Sequence, residues 1–255
     1  DTLKGIRRKA GARQRQAAPL RFGASMSSAD AAPDGLTIES LIAACGTDLV
    51  GVRDAALCSM AYDAGLRVSE LVATTVADLR LVADGSGRLT IPRSKTDQDG
   101  EGSVVWLSAE TMRRLSAWLS RSAIAEGPVF RRINILARDN GDGQHLLTHH
   151  LGAKGLTRQG VVGILRRIAT TAIADGHIAV PAGQEGDAVR ALSAHSFRVG
   201  LTQDLFAAGE DGAGIALALR WSSPTTALRY ARELAAGSNA AARVIGRVRG
   251  RDATT

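Results

Sequence analysis

Helical spacing of apolar residues dominates the pattern of the chain. Five segments show this spacing, at residues 36–45, 52–64, 68–74, 108–123 and 157–174. Apolar side chains that recur every three or four positions line one face of a helix, so each segment is predicted to be a helix with one buried side. Ser108 is a favourable residue for the start of the fourth helix, and Gly65 for the end of the second.

Alternation of apolar and polar residues replaces the helical spacing between Asp78 and Trp106. Apolar residues alternate around an Asp-Gly-Ser-Gly turn at residues 84–87, which predicts a β-hairpin, and a polar turn then leads to a third strand. Residues 131–156 are predicted to be a loop and residues 176–186 a Gly- and Pro-rich connection. The predicted fold class is mainly α with a small antiparallel β-sheet.

The stretch from His195 to Tyr230 collects side chains that are suited to a phosphodiester. His195 and Arg198 share the first turn of a helix predicted to open near Ser196, where the positive end of the helix dipole favours an anion. A Ser-Pro pair predicts the start of another helix, which carries Tyr230 near its middle or end, and Trp221 lies just before it. The phenol of Tyr230 is the candidate nucleophile.

Length and composition bound the class of protein. With 255 residues, 45% of them hydrophobic, the chain can bury a core, and no apolar run approaches the roughly 18–20 residues of a membrane span. Its polar, basic first twenty residues are unlike a signal peptide. Cys45 and Cys58 lack metal-ligand spacing and are predicted to be buried thiols, as in proteins of a reducing cytosol. We expect a cytoplasmic protein with no membrane partner.

Positive charge is concentrated at the N-terminus. The net charge is +7, of which residues 1–21 carry +6. Clustered basic residues neutralise phosphates, so this arm is predicted to contact DNA. The predicted contacts are Lys4, Arg7, Arg8, Lys9, Arg13 and Arg15. A disordered, solubilising tail is the alternative interpretation.

A second predicted DNA-contacting surface lies on the helix at residues 157–174. It consists of Arg158, Arg166 and Arg167. The preceding loop contains three histidines, His145, His149 and His150. No carboxylate or cysteine completes a metal-ligand set at the usual spacing, so no metal site is predicted and the loop is expected to be solvated or to face DNA.

Seven residues form an ordered set along the chain: Arg67, Glu70, Lys95, His195, Arg198, Trp221 and Tyr230. Their order and intervals resemble those of the tyrosine recombinases, also called the phage integrase family. The resemblance covers about residues 1–248. Trp221 stands where many family members have a histidine, and Lys95 lies at the end of a strand of the predicted hairpin.

The resemblance implies a role for each residue. Tyr230 would attack the scissile phosphate and form a 3′-phosphotyrosyl link. Arg67 and Arg198 would hold the non-bridging oxygens as planar bidentate donors. His195 would accept the tyrosine proton, and Lys95, one of only four lysines beside 28 arginines, would protonate the leaving 5′-hydroxyl.

Two further residues would support this reaction. Trp221 would donate its indole N–H to the phosphate and pack the site, and Glu70 would orient Arg67 or His195 from behind. The resemblance implies that no metal, cofactor or ATP takes part, because arginines replace the metal ions that other phosphoryl-transfer enzymes use.

The resemblance also implies a domain organisation and partners. Residues 1–30 would be a basic interdomain linker, residues 31–236 the catalytic domain and residues 237–255 a tail, with the N-terminal core-binding domain absent from this chain. The helix at residues 239–248 would dock into a neighbouring protomer, giving a homotetramer on two sites of double-stranded DNA. Packing of that helix on its own domain is the alternative. The expected protein is bacterial or phage-encoded and associates with the nucleoid.

The expected function is site-specific DNA recombination. A telomere resolvase or a type IB topoisomerase would share the tyrosine nucleophile, but the helix that follows Tyr230 favours a recombinase. A DNA-binding regulator that keeps the fold without catalysis is a further alternative, and a helical protein without a DNA role is the last. The target sequence is not predicted, since it depends on base contacts in the grooves.

Overall fold

The computed structural model of the protein describes residues 17–23, 35–92, 102–139 and 145–231. Lys95, the tail helix predicted at 239–248 and the six basic residues predicted to contact DNA from the N-terminal arm lie outside these ranges. The predictions for them therefore stay predictions.

Helices make up about half of the described chain. They are α1 (Ile38–Ala43), α2 (Leu49–Asp63), α3 (Val68–Ala73), α4 (Ala109–Ser122), α5 (Arg158–Ala174), α6 (Glu185–Ala191), α7 (Ser196–Ala207), α8 (Gly212–Ala218) and α9 (Pro224–Ala231). The strands are β1 (Leu79–Leu81), β2 (Gly87–Ile91), β3 (Ser103–Leu107), β4 (Arg131–Asp139) and β5 (His145–Gly155).

The five helices predicted from apolar spacing are confirmed as α1 to α5. The Ser108 hydroxyl accepts a hydrogen bond of 3.1 Å from the backbone N–H of Thr111, which caps the start of α4. Gly65 follows the end of α2 with a φ of 51°, a left-handed conformation that glycine adopts at little cost. The buried faces of these helices form one core, in which Leu57, Trp118 and Leu165 are fully buried.

The predicted hairpin and its third strand are also confirmed. β1, β2 and β3 form an antiparallel sheet in that order, with Leu89 opposite Val105 and Arg88 opposite Trp106. Leu89 and Val105 point into the core, whereas the opposite face of the sheet leaves Trp106 exposed. Strand β2 ends at Ile91, shortly before Lys95 in the sequence.

The prediction that residues 131–156 form a loop is wrong. β4 and β5 pair as a long antiparallel ribbon, with Ile135 opposite His149 and Leu136 opposite Thr148. Ile135 and Leu136 are both exposed, so the ribbon is held by backbone hydrogen bonds more than by burial of one face. A strand without a buried face lacks the alternation from which strands are recognised.

Helix α6 was not predicted either, and the reason is similar. Its sequence, Glu-Gly-Asp-Ala-Val-Arg-Ala, contributes no buried residue to the core. Without an apolar stripe, a short helix leaves no periodic signal. Within the described ranges, no helix is long and apolar enough to cross a bilayer.

Residues 17–23, from the predicted basic linker, pack against helix α7. The backbone N–H of Leu20 donates to the Ser196 carbonyl at 3.0 Å, and the Leu20 side chain is fully buried. The buried Asp204 carboxylate of α7 accepts hydrogen bonds from the Arg21 Nε and the Tyr62 hydroxyl, both at 2.6 Å. This segment therefore belongs to the folded body of the domain.

Gly200 allows the close approach of residues 17–23 to α7, and its replacement tests that packing. A Cβ atom at Gly200 would overlap the Leu20 carbonyl group. We expect Gly200→Ala to lower the free energy of unfolding by about 1–3 kcal/mol, the usual cost of overpacking. Urea unfolding followed by circular dichroism measures this change.

Gly163→Ala is the matched control. Gly163 also lies within a helix, but a Cβ atom there would have no neighbour within 4 Å. This variant should gain about 0.5–1 kcal/mol, because alanine loses less conformational entropy on folding than glycine. Equal stabilities of the two variants would contradict tight packing of residues 17–23 on α7.

Candidate active site

The predicted nucleophile and the predicted base meet in the structure. Tyr230 lies near the end of α9 and His195 is the residue that precedes α7. The His195 Nε2 atom is 2.9 Å from the Tyr230 hydroxyl oxygen, which is hydrogen-bonding distance. With the proton on Nδ1, the ring is placed to accept the phenolic proton at Nε2.

Arg67 is fixed by a carboxylate in its own helix. It caps the start of α3, where its backbone N–H donates to Glu70 Oε2 at 2.8 Å and its Nη1 donates to Glu70 Oε1 at 2.7 Å. The Glu70 side chain is buried, while the Arg67 side chain remains 33% exposed. Solvent therefore reaches part of the Arg67 guanidinium, as a ligand would.

Arg198 is the buried cation of the site. It lies in the first turn of α7, is 1% exposed and donates from Nη1 to the Gly65 carbonyl at 2.6 Å and from Nη2 to the Leu219 carbonyl. Its Cζ atom is 5.0 Å from the centre of the Trp221 ring, within the range of a cation–π contact. Burial, with the nearby charges of Arg67 and Arg220, lowers the pKa of Arg198 to about 9, so it stays charged at neutral pH.

Trp221 packs against the predicted nucleophile. Its ring stacks on that of Tyr230, with 5.3 Å between the ring centres and 10° between the ring planes. Offset stacking of this kind fixes an aromatic ring more firmly than burial alone. The phenol of Tyr230 is thus held by the indole on its face and by His195 at its hydroxyl.

The pKa values of the site favour proton acceptance by His195. Partial burial, which removes water from the charged form, lowers the pKa of His195 below its ordinary value of 6.5, and the positive charges of Arg198 and Arg67 lower it further. The imidazole is therefore neutral at pH 7. A neutral imidazole beside a phenol is what a general base requires.

Glu70 is a carboxylate under the same conditions. Its burial acts to raise the pKa, but hydrogen bonds from Arg67 and the positive charges of Arg220 and Arg67 outweigh burial and lower the pKa of Glu70 overall. A buried carboxylate of this kind is stable only because cations surround it.

Arg220 is a member of the site that the sequence analysis missed. Its Nη2 donates to Glu70 Oε2 at 2.8 Å and its Nη1 to the Ala64 carbonyl at 3.2 Å. The Arg220 carbonyl in turn accepts a long hydrogen bond of 3.4 Å from Arg67 Nη2. In a chain with 28 arginines, only its position next to Trp221 could have drawn attention to it.

Two of the three arginines predicted to contact DNA from α5 have partners within the protein. Arg167 forms an ion pair with Asp54, a buried carboxylate that also pairs with Arg53. Arg166 Nη2 lies 3.3 Å from the Arg190 carbonyl. Arg158 is exposed at the start of α5. Contact of Arg158, Arg166 and Arg167 with DNA stays a prediction.

Two other groups have structural contacts. The Tyr62 hydroxyl donates to Asp204, and burial beside that charge raises the pKa of Tyr62, so this tyrosine remains protonated in the core. His149 lies 3.6 Å from Asp48 in an ion-pair geometry. The described residues contain no group of three or more side chains that could hold a metal ion.

The chain belongs to the phage integrase family, whose model matches residues 34–236. The Cre recombinase of Escherichia phage P1 is 27% identical over 197 residues, which cover 76% of this chain and 53% of Cre. The chain thus spans about half the length of the curated relative it matches. The family resemblance predicted from the seven ordered residues is confirmed.

Two solved structures of similar fold are those of recombinases. The XerA recombinase has a TM-score of 0.56 at 16% identity, with 94% of this chain and 66% of XerA covered. The pre-cleavage complex of the XerH recombinase with its difH substrate has a TM-score of 0.55 at 17% identity, covering 85% of this chain and 51% of XerH. The predicted fold class, mainly α with a small antiparallel β-sheet in a tyrosine recombinase catalytic-domain fold, is confirmed, and the ribbon of β4 and β5 adds a second small sheet.

The lowered pKa of His195 gives a first test of the site. Nuclear magnetic resonance titration of the imidazole signals, with His195→Asn to identify the signal, should place the His195 transition below pH 6.5. Since the unfolded chain then binds the proton more readily, the contribution of His195 to stability is present above pH 6.5 and is lost as the pH falls. Arg67→Gln should raise the pKa of His195, because it removes a nearby positive charge. A transition at or above pH 6.5 in the unmodified protein would contradict this electrostatic description.

Proposed function

We propose that this chain is the catalytic domain of a site-specific DNA recombinase that cleaves and rejoins DNA through a 3′-phosphotyrosyl intermediate, without metal or ATP. The observation that carries the proposal is the 2.9 Å contact between His195 Nε2 and the Tyr230 hydroxyl beside a cluster of arginines. Membership of the phage integrase family supports the same reaction class.

The proposed cleavage replaces one phosphodiester bond of the DNA strand with a bond between the phosphate and Tyr230. The Tyr230 oxygen attacks the scissile phosphorus as its proton moves to His195 Nε2. The bond to the 5′-oxygen breaks, and Lys95 supplies the proton that this oxygen takes up. Rejoining reverses these steps with a 5′-hydroxyl from the partner strand, so the bond energy is kept in the tyrosyl ester and no nucleotide is consumed.

Stabilisation of the transition state is assigned to the two arginines. The five-coordinate phosphorus gathers negative charge on its non-bridging oxygens, and a guanidinium binds two such oxygens better than an ammonium group does. Arg67 is partly exposed and available for this contact. Arg198 is covered, so the Trp221–Tyr230 stack has to shift before a phosphate oxygen reaches it.

Double-stranded DNA and further copies of the chain are the proposed partners. The XerH relative is bound to its difH substrate, which supports a DNA partner here. Leu228 lies on α9, the helix that carries Tyr230, and is 51% exposed. Leu217 lies on the preceding helix, α8, and is 82% exposed. Two exposed leucines at this place support docking of the helix predicted at residues 239–248 from a neighbouring protomer, as in the proposed homotetramer.

Covalent trapping tests the proposed reaction. The full-length protein is incubated, in the presence of a metal chelator, with nicked duplexes that carry inverted repeats from beside its gene. A covalent protein–DNA band should then appear on a denaturing gel. Tyr230→Phe should still bind the duplex but form no band, because it lacks the attacking oxygen. Tyr62→Phe is the matched control, since Tyr62 is the only other tyrosine and should be dispensable for the covalent link.

The result also separates the alternatives. Binding without a covalent band in the unmodified protein would favour a non-catalytic DNA-binding regulator. A covalent band followed by hairpin closure or by relaxation of supercoils, without exchange between two sites, would favour a telomere resolvase or a type IB topoisomerase.

The general-acid role of Lys95 is tested with a modified leaving group. Lys95→Ala should slow cleavage by about 10²–10⁴-fold, the usual contribution of a positioned proton donor. A substrate with sulfur in place of the bridging 5′-oxygen needs no proton to leave and should restore the rate. Arg67→Gln, which removes charge stabilisation instead, should not be rescued. Failure of sulfur to rescue Lys95→Ala would exclude the role.

A further inference from the structure

The turn between α8 and α9 contains Arg220 and contacts both Arg67 and Arg198. The Leu219 carbonyl accepts from Arg198, and the Arg220 carbonyl accepts from Arg67 Nη2 at 3.4 Å. The next residue, Trp221, covers Arg198 and stacks on Tyr230. Three consecutive residues thus connect the nucleophile with both phosphate-binding candidates.

The side chain of Arg220 is directed at the carboxylate behind Arg67. Glu70 Oε1 accepts from Arg67 and Glu70 Oε2 accepts from Arg220, so one carboxylate lies between two guanidinium groups. The Arg220 side chain is 12% exposed. Its Nε atom is buried and, in the described part of the chain, has no hydrogen-bond partner. A buried donor left unpaired indicates that the guanidinium is held here for its contact with Glu70 despite that cost.

The backbone of Arg220 is also unusual. Its φ of 54° lies in the left-handed region, which is strained for a residue with a Cβ atom. Such strain persists where surrounding contacts over-determine it, and it is concentrated at functional sites. This conformation leaves the Arg220 carbonyl within reach of Arg67 and the side chain within reach of Glu70.

Charge balance shows what Arg220 adds. Glu70 paired with Arg67 alone would offset the charge that Arg67 offers to a phosphate. With Arg220 included, the cluster holds three guanidinium groups, of Arg67, Arg198 and Arg220, and one carboxylate, a balance of +2 from 3 − 1. A phosphodiester carries one negative charge, and attack by the deprotonated tyrosine oxygen brings the five-coordinate transition state towards two, which a cluster with this positive charge stabilises.

We infer that Arg220 is a positioning residue: it offsets the charge of Glu70 and fixes that carboxylate so that Arg67 faces the scissile phosphate with its positive charge available. The inference rests on the proposed strand-cleavage function. A purely structural ion pair, which only anchors the turn before α9, is the competing description.

Substitutions of Arg220 separate the two descriptions. Asparagine tolerates the left-handed backbone and removes the charge, whereas lysine keeps the charge. We expect Arg220→Asn to slow single-turnover cleavage at saturating protein about 10- to 100-fold, the range found when a partner behind a metal ligand is lost. DNA affinity should change by less than about twofold, and Arg220→Lys should recover most of the rate.

Controls keep the comparison interpretable. Arg114→Asn removes an arginine that pairs with Glu110 at 2.7 Å, outside the cluster, and should leave the cleavage rate unchanged. Thermal melts establish that each variant is folded. If Arg220→Asn does not fold, Arg220→Gly, which relaxes the positive φ, replaces it. Normal cleavage by a folded Arg220→Asn or Arg220→Gly protein would overturn the inference.

A measurement without DNA separates this inference from the proposed function. Carboxyl resonances followed by ¹³C nuclear magnetic resonance should show that the pKa of Glu70 rises in Arg220→Asn and returns towards its original value in Arg220→Lys, since Arg220 is a cation beside Glu70. An unchanged pKa of Glu70 would overturn the inference. Absence of covalent product with the unmodified protein would instead count against the proposed function, and this titration would still decide whether Arg220 holds Glu70.

Discussion

The site depends on keeping guanidinium groups charged inside the protein. Backbone carbonyls at the C-terminal ends of two helices make this possible. Arg198 donates to Gly65, just after α2, and to Leu219, just after α8, while Arg220 donates to Ala64 at the end of α2. Carbonyls at helix C-termini lack partners within their own helices and carry partial negative charge. They can therefore stabilise the positive charge of a buried arginine through hydrogen bonds. The carbonyls at the ends of α2 and α8 therefore replace the hydrogen bonds that water would give these two arginines at a surface.

Helix α7 connects this cation site to the rest of the fold. Its first turn carries Arg198 and follows His195, and its last turns carry Asp204, which accepts from Arg21 and Tyr62. A helix that is buried along most of its length has no free polar face, so each buried polar side chain on it requires a hydrogen-bond partner within the protein. The pairing at Asp204 holds one end of α7, and the carbonyls around Arg198 hold the other.

Sequence reasoning found what local pattern or residue order records. Apolar spacing located α1 to α5, and the turn at residues 84–87 located the first sheet. The meeting of His195 and Tyr230 was expected only through the family resemblance. Arg220 escaped because its role comes from a left-handed backbone and from an approach to Glu70 across 150 residues, neither of which leaves a periodic trace. The ribbon of β4 and β5 escaped for another reason: backbone pairing holds it, and backbone groups are the same in every sequence.

The packing of residues 17–23 on α7 has a mechanical consequence. Leu20 is bonded to the carbonyl of Ser196, the residue directly after His195, and Gly200 leaves no gap between the segment and the helix. A force applied to residues 17–23 would therefore act within one turn of His195, the proposed general base. We expect the segment to act as a stiff coupling, so that a displacement of residues 17–23 moves the first turn of α7 and His195 with it.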